Sequence, residues 1–266
     1  MELIKAIILG IIQGLCEFLP VSSSGHLTLA SKLLGISEGD VQLTMVMMHV
    51  GTLIAVFIVY RKQIWELLKK PFQRKTFLLI VSTVATVIIY LVCHKLFKGL
   101  EGNGIALGCS FLFTAAILLF TDFVVPSIIK KEKNIEKLTF PAAIGVGAMQ
   151  GIGILPGVSR SGSTIAGARL FGLDKESAAE YSFLMSIPAI LGGLVTEIPD
   201  IIEKGAANID WLSIAVGMVA AAASGYFAIR FMIQLITKKK LWGFAVYVGI
   251  LGVFLILDTG ALHLIF

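Results

Sequence analysis

Gln13 and Glu17 stand four residues apart within an apolar run, a spacing that sets both side chains on one helix face. A carboxylate in such surroundings is costly and is usually kept for proton, ion or substrate chemistry. The plainer reading is a Glu at a wet helix end. Just beyond it runs Pro20-Val21-Ser22-Ser23-Ser24-Gly25-His26. Ser22, Ser23, Ser24 and Gly25 can turn hydroxyls and backbone N–H groups toward one anion where a helix begins. His26 can move protons near neutral pH or attack phosphorus itself. A third segment reads Pro156-Gly157-Val158-Ser159-Arg160-Ser161-Gly162-Ser163-Thr164. Here Arg160 is flanked by the hydroxyls of Ser159, Ser161, Ser163 and Thr164 and by Gly162. That composition suits a phosphate, because Arg keeps its charge and offers several directed donors. The plainer alternative is a helix-packing Gly/Ser segment with Arg160 reaching for the interface. Together these residue types suit phosphate or diphosphate chemistry, and the apolar surroundings suit a lipid tail. His49, Ser186 and Arg230 are weaker candidates. Met45, Met47 and Met48 read as packing, and the three cysteines read as small buried residues. There is no Walker A motif and no dinucleotide fingerprint.

The elements that must position these residues lie in a bilayer. Of 266 residues 57% are hydrophobic and 15% charged, with a mean hydropathy of +0.92. A soluble globule of this size cannot bury so much apolar surface. The net charge of +5 does not point to nucleic acid, because the basic residues gather in short loops between apolar runs. Six stretches are long enough to span: about 41–60, 77–97, 104–129, 176–196, 211–233 and 241–262. Residues 3–19 and 138–155 run instead into Pro, Gly and Ser breaks followed by shorter segments, about 23–35 and 160–171. These predict two re-entrant helical hairpins, tolerated at membrane depth only where protein or a wet cavity surrounds them.

Basic loops 61–75, 130–137 and 238–240 are expected inside, and the acidic loop 197–210 outside. That places both termini and the 36–40 turn outside. Gln13-Gly14 recurs as Gln150-Gly151, and Val21-Ser22 to Gly25 as Val158-Ser159 to Gly162, both at an offset of 137. The expected architecture is all-α and polytopic: one membrane domain, 1–266, of two inverted repeats, about 1–130 and 138–266. It has six full transmembrane helices and two hairpins meeting near mid-membrane. The same design serves secondary transporters, so a flippase of a phosphorylated lipid is the alternative to an enzyme.

The run from Gln13 to His26 resembles the first signature of the bacterial undecaprenyl-diphosphate phosphatase (bacitracin resistance) family, and Pro156 to Thr164 resembles its second. The resemblance extends over essentially the whole chain. It implies hydrolysis of undecaprenyl diphosphate to the monophosphate, which recycles the carrier for peptidoglycan synthesis in the bacterial cell membrane. It also implies a divalent cation, Mg2+ or Ca2+, with Glu17 as a ligand, a site open to the outer face, and a homodimer. The family admits Glu or Gln at the opening position; this chain has Gln13, so that position is not relied on as a carboxylate or as a metal ligand. On this reading Glu17, Ser23, His26 and Arg160 are catalytic. Gln13, Ser22, Ser24, Gly25, Ser159, Ser161, Gly162, Ser163 and Thr164 bind substrate. The attacking atom is open among Ser23, His26 and water, with Ser23 favoured.

Overall fold

Helices account for nearly all of the chain because its apolar runs leave the backbone no solvent partner, and a helix satisfies each N–H and C=O within one segment. In the computed structural model the described residues are 2–36, 38–100, 102–203 and 210–266, with side chains described for all of these except 38–43 and 197–203. The order is α1 (Leu3–Phe18), α2 (Ser23–Leu33), α3 (Glu38–Val59), α4 (Arg61–Lys69), α5 (Arg74–Leu100) and α6 (Gly104–Phe123). It continues with α7 (Val125–Ile128), α8 (Phe140–Ile152), α9 (Arg160–Leu170), α10 (Lys175–Glu203), α11 (Trp211–Lys238) and α12 (Trp242–Leu257). Leu19, forced out of helical geometry ahead of Pro20, ends α1 in an extended conformation.

Among the described residues five helical stretches are long and apolar enough to cross a membrane: Arg74–Leu100, Gly104–Ile128, Lys175–Thr196, Trp211–Lys238 and Trp242–Leu262. A sixth arises if Thr44–Val59 is counted together with Arg61–Lys69, which bends from it by 80°. The molecule is thus an all-α bundle of five or six spans by length and composition. Two expectations about loops change. Residues 61–69 form helix α4, because Ile64 and Leu67 lie one turn apart and pack on the core while the basic residues point outward. The acidic loop expected at 197–210 is shorter, since α10 runs on to Glu203; residues 204–209 of that loop lie outside the described residues. So does residue 37 of the turn expected at 36–40, after which α3 begins at Glu38.

The helices pair crosswise. α1 lies along α11 and α8 along α5, and α6 pairs with α12. Moving α2 by 137 residues gives the bounds of α9, and moving α5 by the same step gives those of α11 to within one residue. Glycines permit the close contacts: a Cβ on Gly10 would stand 2.3 Å from the Gly217 carbonyl oxygen, and one on Gly147 2.1 Å from that of Ser82. Small polar ties reinforce the second pairing. Ser82 Oγ donates to the Ala143 carbonyl at 2.7 Å, and Thr86 Oγ1 donates to that of Gly147 at 2.9 Å. Such ties are worth about 0.6 kcal/mol each in a bilayer. The largest apolar core joins Phe18, Phe111, Leu118 and Phe183, directly beside the two helix breaks.

Candidate active site

Glu17 is the centre. It lies one turn beyond Gln13 on α1, and both are buried, at 6% and 0% exposure. Its Oε2 accepts hydrogen bonds from Gln13 Nε2 at 3.0 Å and from Ser23 Oγ at 2.6 Å. His49 Nε2, from α3, stands 3.6 Å from the same oxygen. Oε1 is ion-paired with the Arg160 guanidinium. Four helices, α1, α2, α3 and α9, therefore converge on one carboxylate. A lone buried carboxylate costs several kcal/mol in desolvation. Here a cation and two hydrogen-bond donors offset that cost, so the ionised side chain has a place at this depth.

Local structure sets these groups. Ser22 caps α2: its Oγ accepts from the Gly25 N–H at 3.3 Å. Its backbone sits at φ 72°, ψ 101°, a conformation that costs a non-glycine residue about 1–3 kcal/mol and clusters at functional sites. The turn makes Ser23 the first residue of α2 and aims its hydroxyl at Glu17. Ser159 caps α9 in the same manner, accepting from Gly162 N–H at 3.1 Å, and makes Arg160 the first residue of that helix. The two N-termini thus flank Glu17 and add their positive dipole ends. Two bonds join the breaks: Gly157 N–H to Ser24 Oγ at 3.3 Å and Ser161 Oγ to the Leu19 carbonyl at 3.1 Å. A Cβ on Gly25 would meet the Phe111 ring at 2.5 Å, so that ring fixes how closely α2 sits against α6.

The expected residues divide into those at the carboxylate and those around it. Gln13, Ser23 and Arg160 touch Glu17 directly. Ser22, Ser24, Gly25, Ser159, Ser161 and Gly162 form the two caps and the bonds between them. Thr164 turns to the Arg160 and Ser161 carbonyls and to Ser182, and holds α9 against α10. The Ser163 hydroxyl is buried with no hydrogen-bond partner among the described residues. His26 faces away from Glu17. Its Nδ1 donates to the Ser22 carbonyl at 2.8 Å, which leaves Nε2 to accept from Tyr247 OH at 2.7 Å. The His26 and Tyr247 rings stack with centroids 5.6 Å apart, and Phe111 meets His26 edge-on.

Clustered hydroxyls, an Arg and two helix N-termini around a carboxylate–serine pair can grip a phosphoryl group and activate an alcohol against it. Known proteins agree with that chemistry. Residues 6–254 match the family model described as "Bacitracin resistance protein BacA". The chain belongs to the BacA family. It is 46% identical over 255 residues to the "Undecaprenyl-diphosphatase" of Carboxydothermus hydrogenoformans, covering 95% of this chain and 96% of that protein. It is 39% identical over 262 residues to a protein of the same name from Halothermothrix orenii, covering 98% and 99%. It is 41% identical over 260 residues to "Undecaprenyl-diphosphatase 4" of Bacillus thuringiensis, covering 96% and 97%. The BacA match includes both helix breaks and every residue that touches Glu17.

Among the described residues no group of three or more His, Cys, Asp or Glu side chains forms a cage for a metal ion. What the site does offer is hard oxygen: the Glu17 carboxylate, the Ser23 hydroxyl and Gln13 Oε1, which is buried without a partner among the described residues. That set fits a Mg2+-type ion, which binds through one or two carboxylates and the substrate's own phosphates. Two neighbours escaped the sequence reading. Tyr247 lies in an apolar stretch with no polar residue near it to draw notice. Thr114, which accepts from the Ser159 N–H at 3.0 Å, looks like any threonine of a span. Of the weaker candidates, His49 reaches the site. Ser186 bonds back to the Phe183 carbonyl, and Arg230 donates to Tyr226 OH.

Proposed function

We propose that the pair Ser23–Glu17, gated by Arg160, performs the reaction of this bacterial multi-pass membrane protein. The chain hydrolyses undecaprenyl diphosphate to undecaprenyl phosphate and inorganic phosphate, a step in cell-wall lipid recycling. The observation that carries the proposal is the 2.6 Å hydrogen bond from Ser23 Oγ to Glu17 Oε2 while Oε1 is held by Arg160. Before substrate binds, the guanidinium stabilises the carboxylate as an anion and weakens it as a base. An incoming diphosphate competes for Arg160, and its multiple negative charges favour the transfer. Glu17, relieved of its cation, then takes the Ser23 proton. Ser23 Oγ bonds to the terminal phosphorus, and the bond to the bridging oxygen breaks. Lipid phosphate leaves with that electron pair and receives the proton from Glu17. In the second half, Glu17 takes a proton from water, which attacks the phosphoserine; phosphate leaves and the proton returns to Ser23 Oγ.

Arg160, Ser159, Ser161 and the two helix N-termini hold the phosphoryl oxygens as charge builds. Ser24, Gly25, Gly162, Ser163 and Thr164 shape that cradle. His26 is a positioning residue in this scheme: its Nδ1 holds the strained Ser22 carbonyl. Its Nε2 is engaged by Tyr247, which argues against His26 as the attacking atom. A divalent cation, Mg2+ or Ca2+, belongs to the reading: Glu17 Oε1, the oxygen that Ser23 does not use, would hold it together with the substrate's own phosphates, and it would supply charge neutralisation.

The same proposal takes the chain as one domain of two inverted repeats, about 1–130 and 138–266, with hairpins α1–α2 and α8–α9 and six spans. The 137-residue correspondence and the crosswise pairing of α1 with α11 and α8 with α5 support it. It sets the Lys-rich turns inside from loop charge, and takes the site opening toward the outer face and a homodimer from the family resemblance. Phosphate release by protein purified in detergent tests the function, since no bilayer remains to be crossed. Wild-type release, and its loss in Ser23→Ala, is the expected result; a chain that moves lipid without hydrolysing it would release none.

A further inference from the structure

At the far end of α9 from Arg160 lies a second polar pocket that the reaction does not use. It is lined by Asp122, Arg169, Lys175, Lys239 and Lys240 over an apolar floor that includes Ile165. Arg169 is nine residues beyond Arg160 on the same helix, about 14 Å along its axis at ~1.5 Å per residue. The pocket is therefore separate from the site around Glu17. Its charge is lopsided. Arg169 is already paired with Glu132 at 2.8 Å and donates to the Leu173 carbonyl at 2.7 Å. That leaves three lysines facing one buried carboxylate, Asp122. Lys175 Nζ is held in place by the Lys239 carbonyl at 3.2 Å, and Lys240 Nζ sits 4.3 Å over the Phe123 ring.

The size of the cavity decides what class of anion it takes. Its volume is about 80 Å³, room for a handful of waters, each of which needs roughly 10–15 Å³ measured in the same way. A drug-sized or nucleotide-sized ligand needs roughly 300 Å³ or more. A single phosphate group is the fitting scale. The large side chains flanking the pocket in sequence, Phe123, Val124, Ile128 and Trp242, are all exposed apolar surface. A phosphate arriving on a lipid would set its chains against exactly such a border, whereas a free ion would have no use for one. We infer that this pocket binds the headgroup phosphate of an anionic membrane lipid. Basic pockets between helices at a membrane boundary take anionic headgroups in this way, with each nearby lysine contributing about fivefold in affinity.

Trp242 gives a direct readout. In a background of Trp65→Phe and Trp211→Phe, the full-length protein is reconstituted in bilayers carrying brominated phosphatidylglycerol or brominated phosphatidylcholine at equal mole fraction. The expected result is a relative binding constant at least about fivefold higher for phosphatidylglycerol, read from quenching of Trp242. Lys175→Gln with Lys239→Gln and Lys240→Gln abolishes that preference. Removing three exposed lysines elsewhere, Lys62, Lys69 and Lys70, leaves it. Diphosphate hydrolysis by each variant, expected unchanged, shows that the protein is folded. Equal quenching by the two lipids would overturn the inference, as would a preference that survives the pocket triple variant or falls equally in the control. Titration with inorganic phosphate against chloride at matched ionic strength separates the two sources. Displacement of the brominated lipid by phosphate alone would assign the pocket to the free ion and overturn the lipid reading.

Discussion

The helix breaks α1–α2 and α8–α9 have the same backbone plan and opposite chemistry. Ser22 and Ser159 cap equivalent helices, each accepting from the N–H three residues ahead. One step further on, the equivalent positions hold Ser23 and Arg160. Glu17 has Ile154 as its counterpart, and His26 has Ser163. The paired glutamines differ in use: Gln13 donates to Glu17, while Gln150 donates to Thr86 Oγ1 at 3.2 Å and ties α8 to α5. The strain differs too. Ser22 sits at φ 72°, whereas Ser159 has φ −76° and the left-handed residue of its turn is Gly157. One break carries the carboxylate and the hydroxyl, the other carries the guanidinium, and the proposed reaction draws on both. A repeated motif here marks repeated scaffolding, and the chemistry lies where the copies disagree.

The largest effect should follow from making the first copy resemble the second at its carboxylate. Glu17→Gln keeps shape and hydrogen bonds but removes the base and leaves Arg160 without a counter-charge. Phosphate release should fall by about a thousandfold, whereas Ile154→Val in the second copy should leave it near wild type. Next comes the cation. Arg160→Lys retains charge but not the fork of donors, and should cost about a hundredfold in rate while the protein still folds. Release close to wild type would remove Arg160 from the centre of the mechanism.

The two glutamines sharpen the comparison. Gln13→Ala should lower turnover by about tenfold, the worth of one hydrogen bond to a charged group, with an unchanged melting point in detergent. Gln150→Ala should leave turnover intact and lower stability by about 0.6–1.7 kcal/mol, as loss of one interhelical bond does. Equal effects on both quantities would mean the two copies are not specialised. The smallest contrast is at the caps. Ser159→Gly should destabilise by a few tenths of a kcal/mol, since glycine is only slightly poorer as a cap. Ser22→Gly should stabilise, by up to about 1 kcal/mol, because it also relieves the positive φ.

Much of this was legible in the residues, for identifiable reasons. Pro20 and Pro156 break a helix and Gly157 disfavours one, so the two breaks show in the chain, and the 137-residue offset relates them. The hydroxyl-rich cradle shows as well, because each of its residues is local to a break. The ion pair between Glu17 and Arg160 does not, since its partners are 143 residues apart and only the packing of α1 against α9 brings them together. Likewise His26 looks, from its nearness to Ser23, like that residue's proton partner. The turn at Ser22 directs its ring to Tyr247 instead. Helix α4 was hidden by its charges: six basic residues between 61 and 75 read as a loop, and the two apolar residues that anchor the helix carry little weight beside them.

The central claim is that the first break supplies the nucleophile and the second the grip. It is tested most directly by mass spectrometry of wild-type enzyme quenched during turnover, with parallel acid and alkaline quenches. A serine phosphate ester survives acid, while phosphohistidine is lost in acid and kept in alkali. The account predicts phosphate on Ser23 in the acid quench and its absence from Ser23→Ala. Phosphate on His26 in the alkaline quench would contradict it, as would an enzyme unmodified in every quench while oxygen-18 from solvent enters the released phosphate.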